Sequence, residues 1–282
     1  MKKLDILVLV TFLFSSSLWA DVHVIPENTM SNPIEIKDSN ISESDFRNVI
    51  NILHKIYAPK IKEKGNVDLI MNAVWEDATV NAYASRETDT WTIHINGGIA
   101  RAKGMTKDSL ALIICHELGH HLGGAPRTFL YDGWPSAEGQ ADYWATSKCM
   151  KNYYEELKHE DVSNIGIVPD KIIRDCSNVY LNSNEIKICV KTQLAALDFS
   201  SVLNSFPDVK KPIQLDTPDD RIVKGTNTNH YPRPQCRFDT MYQGALCDIN
   251  SHVATSETDA KIGHCNDTTK LGSRPRCWYK PQ

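Results

Sequence analysis

Thr106-Lys107-Asp108-Ser109-Leu110-Ala111-Leu112-Ile113-Ile114-Cys115-His116-Glu117-Leu118-Gly119-His120-His121-Leu122-Gly123-Gly124 reads as one buried helix with chemistry at its C-terminal end. Thr106 can cap the helix, Asp108 suits the positive first turn, and Gly123-Gly124 ends it. An unbroken apolar run from Leu110 to Cys115 predicts a helix surrounded by protein rather than one lying on a surface. His116 and His120 are four residues apart, so a helix stacks both imidazoles on one face. That spacing lets the pair hold a single Zn²⁺, and Glu117 borders the same point, where it can deprotonate a water. A chain of ordinary composition and this size matches H-E-x-x-H by accident on the order of one per cent of the time.

Two histidines leave the ligand set incomplete, since a catalytic zinc takes three protein ligands and keeps a fourth position open. Eighteen residues beyond His120, a helix expected from Ser136 to Leu157 carries Glu138 and Asp142, again four apart on one face. Glu138 is the candidate third ligand. Asp142 is the candidate acceptor for the free ring nitrogen of a ligating histidine, His116 first, which would fix that ring's tautomer. His121 points around the helix, so it is expected at the surface or beside the ligands rather than on the metal. Cys115 is expected as a buried sulfur, and Trp134, Tyr143 and Trp144 as packing.

His116-Glu117-Leu118-Gly119-His120 followed by Glu138-x-x-x-Asp142 resembles the gluzincin zinc metallopeptidases, specifically the HtpX/CAAX-prenyl-protease type. Asn81-Ala82-Tyr83-Ala84 and the strand ending Ile93-His94-Ile95-Asn96-Gly97-Gly98 resemble that family's upstream elements, and His230-Tyr231-Pro232 with Arg237 resembles its His-Pro…Arg element. The likeness is concentrated in residues 42–155. It implies an α+β zincin-like domain in which His116, His120 and Glu138 bind zinc, Glu117 is the general base and Asp142 supports the ligands. It further implies an endopeptidase whose protein or peptide substrate lies along an edge strand near Trp91 to Ile95. His230 is a candidate to polarise the scissile carbonyl or stabilise the oxyanion. A protein that keeps the scaffold and metal without turnover, serving envelope binding or assembly, is the alternative.

Around this centre, Ser42 caps a helix predicted to Tyr57, and Pro59 is expected to end or kink it. Val67–Met71, Val80–Ala84 and Thr90–Ile95 read as strands, the last two joined as a hairpin, giving a small mixed sheet. A helix is expected over residues 190–203. Residues 21–40 read as a loose lead-in. Pro207, Pro212 and Pro218 mark a linker, and the Cys-rich stretch from about Arg221 reads as a disulfide-stapled segment. Domain bounds are therefore 21–205 for the metallopeptidase domain and 206–282 for the tail.

Lys2-Lys3, the apolar run Ile6–Phe14 and Ala20 form a signal-peptide pattern over residues 1–20, with export to the periplasm or beyond. Eight cysteines without a C-x-x-C pair point to disulfides, in keeping with that route. A net charge of −4 without a basic cluster gives no footprint for nucleic acid. No later segment is long and apolar enough to span a bilayer, so the mature chain is expected to have no membrane span.

Overall fold

A computed structural model describes residues 22–157, 166–205 and 209–281. The leader expected at residues 1–20 lies outside these, as does Pro207. The chain forms β1 (Val22–His23), α1 (Glu43–Gly65), β2 (Asp68–Val74), β3 (Ala82–Arg86), β4 (Thr90–Asn96), the short α2 (Gly97–Ala100), α3 (Lys107–Leu122), α4 (Glu138–Trp144), α5 (Met150–Glu156), α6 (Asp170–Val179), α7 (Ser183–Asn204) and α8 (Pro234–Ala245). This is an α+β architecture with one four-stranded mixed sheet in the order β1-β3-β4-β2.

α3 is the spine of the molecule, and Leu110, Ala111, Leu112, Ile113 and Ile114 are all fully buried. α1 and the sheet cover one flank and α7 another, while α4 packs near its C-terminal end. The Thr106 hydroxyl accepts from Ser109 N–H and the Ser109 hydroxyl accepts in return from Thr106 N–H, so the start is fixed by a capping box. Its end follows the glycines: Gly124 has a φ of 73°, a left-handed turn that only glycine enters without strain.

Several expectations need correction. α1 runs through Pro59 to Gly65. Lys55 and Pro59 are both exposed, so the carbonyl deprived of its amide partner lies on the solvent side, while Tyr57 and Ile61 bury the opposite face and hold the helix together. β4 is not an edge strand: it pairs in parallel with β2 (Leu69 opposite Trp91) and antiparallel with β3 (Ala84 opposite Ile93). Both its edges are taken, so a peptide cannot add to it. The lead-in is not loose throughout, because Val22 and His23 pair with Ala84 and Tyr83, and Val24 and Ile25 have no solvent exposure. The helix expected over residues 136–157 is interrupted by a π-helical turn at Ala145–Cys149. α6 and α8 add to the expected helices, and α7 begins at Ser183 rather than near residue 190.

All eight cysteines pair: Cys115–Cys149 joins α3 to the π turn, Cys176–Cys189 joins α6 to α7, and Cys236–Cys277 and Cys247–Cys265 staple the tail. Four disulfides suit an oxidising compartment. Among the described residues no helix is long and apolar enough to cross a membrane.

Candidate metal centre

The last turn of α3 and the first turn of α4 face each other at close range. A Cβ added at Gly119 would lie 2.9 Å from the Ala141 carbonyl oxygen, so the glycine within the histidine motif is what lets the two helices approach. The approach brings the ligand atoms of three residues together. His120 Nε2 lies 3.1 Å from His116 Nε2, His116 Nε2 lies 3.4 Å from Glu138 Oε2, and His120 Nε2 lies 3.6 Å from Glu138 Oε1. Atoms bound about 2.05 Å from one ion at tetrahedral angles sit about 3.3 Å apart, close to these separations, two of which end on different oxygens of Glu138. His116, His120 and Glu138 therefore form a possible metal-binding group.

Protonation supports the same reading. His120 Nδ1 lies 2.9 Å from the Ser136 carbonyl, which can only accept, so Nδ1 carries the proton and Nε2 carries the lone pair. Burial, followed by the neighbouring His116, holds the His120 pKa well below its usual value, so the ring stays neutral. His116 Nδ1 faces Asp142 Oδ1 at 2.8 Å, a short contact not aligned as a full hydrogen bond. Asp142 again assigns the proton to Nδ1 and leaves Nε2 aimed at the ligand triangle. Burial lowers the His116 pKa, but Asp142 and Glu138 outweigh it and raise it to about 9. With Nδ1 already protonated, that second proton sits on Nε2 in the metal-free chain, so the three groups converge on a point that takes a cation, and a divalent ion binds there by displacing the proton.

Asp142 is itself held by Arg237 from α8, whose Nε and Nη2 donate to Oδ2 and Oδ1 at 2.8 and 2.7 Å. Both residues are almost wholly inaccessible, Arg237 at 2% and Asp142 at 0%. Burial would raise the Asp142 pKa, yet Arg237 and His116 bring it down to about 2, so the carboxylate is ionised at any working pH. Arg237 Nη2 also lies 3.9 Å from Glu138 Oε2, and Nη1 donates to the Val24 carbonyl.

Glu117 is fully buried, and neither of its carboxylate oxygens has a hydrogen-bond partner among the described residues. Burial first, with Glu138 and Asp142 adding repulsion, pushes its pKa well up against the pull of His116 and Arg237. A buried carboxylate left without donors fits a site that also takes a cation and water. Beside Glu138 opens a cleft of about 420 Å³ lined by Val22, His23, Leu130, Asn229, His230 and Tyr231, among others. His230 is exposed on this wall and is not one of the three clustered ligands.

The remaining expectations can be placed. His121 is buried, stacked between Trp91 and Trp134 with ring centroids 5.1 and 5.0 Å away, and receives a bond from Arg86. Cys115 is buried and disulfide-bonded, hence no ligand. His94 is half-buried, between Asn72 and Ser85. Tyr143 and Trp144 are buried, and Trp134 is partly so. Asp219, Cys236 and Cys277 also cluster, but the two sulfurs are bonded to each other and offer no thiolate. Sequence reasoning missed His23, the Ser136 carbonyl and the Val24 carbonyl. The first lies in a two-residue strand without periodicity, and backbone acceptors leave no mark on a sequence.

No family model, curated protein or solved structure matches the chain.

Proposed function

We propose that the protein is an exported zinc-dependent endopeptidase of the gluzincin type, similar to the HtpX/CAAX-prenyl-protease enzymes and acting on peptide bonds of envelope or extracellular proteins. The observation that carries this is the convergence of His116 Nε2, His120 Nε2 and Glu138 within 3.1–3.6 Å beside the unpartnered carboxylate of Glu117. Two imidazoles and one carboxylate at this spacing are a donor set that suits zinc once His116 gives up its Nε2 proton to the ion. Zinc, when bound, polarises a carbonyl and lowers the pKa of water toward neutrality.

The chain's own groups supply the rest. Glu117, made more basic by burial, takes the proton of the attacking water and passes it to the departing amine. Asp142 and the Ser136 carbonyl hold both imidazoles with Nδ1 protonated, keeping Nε2 available. Arg237 fixes Asp142 and keeps it ionised. The cleft beside Glu138 would receive the peptide, with His230 on its wall as the candidate donor to the scissile carbonyl oxygen.

The test is Glu117→Gln against zinc-loaded wild type on a proteome-derived peptide library. Wild type cleaves, and the variant keeps zinc with a rate lower by about 10²–10⁴-fold. Equal cleavage by the variant, or a zinc-loaded wild type that cuts nothing, overturns the proposal.

A further inference from the structure

The residues just after the expected leader do more than lie beside the cleft. β1 pairs with β3 so that Val22 opposes Ala84, and Val24 N–H donates to the Ala82 carbonyl at 2.9 Å. In antiparallel pairing the alternate residue then turns its backbone groups away from β3. That residue is His23, and its carbonyl accepts the Tyr231 hydroxyl at 2.8 Å from the opposite side of the cleft. The next carbonyl, of Val24, accepts Nη1 of Arg237. Val24 and Ile25 are fully buried within the main core, and Asn81 Nδ2 reaches the Ile25 carbonyl.

Arg237 therefore has three anchored nitrogens: two on Asp142 and one on the strand. Asp142 meets His116, and His116 is one of the clustered ligands. Three links thus join the N-terminal strand to the ligand triangle, each through a buried charged group or a backbone carbonyl. A guanidinium held at only one end can swing, and low-dielectric surroundings make any lost acceptor costly.

We propose that the N-terminal strand is a positioning element of the metal centre, with Val24 acting through Arg237 and Asp142 to hold His116 in its ligating pose while β1 forms a cleft wall tied down by Tyr231. The inference rests on the metal reading above and extends it: ligand geometry is complete only when residues 22–25 are docked. The strand is built into the core, so it is part of the site rather than a removable plug.

The full chain carrying Val24→Lys tests this, because an ammonium cannot occupy that apolar slot. Hydrogen exchange at residues 22–25 reports docking, and chelator competition reports zinc affinity of the folded protein. The expected result is loss of protection together with zinc affinity weaker by at least about tenfold, the scale on which residues supporting a ligand act. Leu53→Ala, which thins the same core from α1 and leaves residues 22–25 intact, stays within about twofold of wild type in zinc affinity, whereas a site that merely follows core packing would weaken in both variants. Where Val24→Lys does not fold, Tyr231→Phe decides: faster exchange at residues 22–24 with weaker zinc binding supports the proposal. Wild-type zinc affinity with the strand released, or unchanged exchange and affinity in Tyr231→Phe, overturns it. A wild type that binds no zinc removes the metal reading and this inference together, whereas a zinc-binding wild type with indifferent variants removes this inference alone.

Discussion

Replacing Cys115 and Cys149 together by alanine removes the one disulfide that ties the histidine helix to the turn following α4. It closes a loop of sequence separation 34, and no other disulfide closes a loop overlapping it. The loop-closure relation for that length gives about 3.8 kcal/mol of stabilisation through the unfolded chain. Both sulfurs are buried, so their loss adds about 1 kcal/mol of cavity cost, for a total of about 5 kcal/mol. The native ligand geometry has independent support in the close approach of Gly119 to Ala141 and in the Asp142–Arg237 pair. Zinc affinity should accordingly change by less than about tenfold, below what loss of a supporting contact produces. Urea unfolding of the metal-free proteins measures the first quantity, and chelator competition on the folded proteins measures the second. An apo-protein loss below about 1 kcal/mol would refute the unfolded-chain account, and a large drop in zinc affinity would show that the disulfide, not the helix contact, sets the ligand geometry.

Other predictions follow from the same geometry. Asp142→Asn keeps the shape but removes the charge that faces Arg237 and His116, so zinc affinity should fall by about 10–100-fold in chelator competition; a change within twofold contradicts the assigned role. His264 is buried and accepts from Gln140, and burial with nearby Arg274 and Lys148 lowers its pKa from 6.5 to about 3. As pH falls, the unfolded chain takes up this proton first, so stability is lost progressively from about pH 6.5 down to about 3, by about 2 kcal/mol between pH 7 and 5. His264→Gln should flatten the urea-derived stability curve by that amount over the same interval, and an unchanged slope would mean that His264 is not held neutral.

How much could be read beforehand depended on how local each feature was. α3 was legible because its cap, apolar run, histidine spacing and terminal glycines all act within one helix. Glu138 and Asp142 were legible through their own four-residue spacing. The order of the sheet was not: β2 and β4 pair in parallel across an intervening strand, so nothing within Thr90–Asn96 tells that both edges are occupied. β1 is two residues long and shows no alternation to detect. α8 carries a helical period in Phe238, Met241, Tyr242 and Ala245 behind Pro234, but it is short and set in a Pro- and Cys-rich stretch, and the part Arg237 plays appears only once α8 lies against α4. Pro59 misled because propensity argues from one residue, while Tyr57 and Ile61 anchor the helix on both sides of it.

The most direct measurement is metal content of the purified chain, by elemental analysis, for wild type and Glu138→Ala side by side. A single equivalent of zinc that survives a mild chelator in wild type, and is stripped from the variant, is the predicted result. Metal-free wild type, or a variant that retains zinc equally well, would contradict the convergence of His116, His120 and Glu138 on one ion.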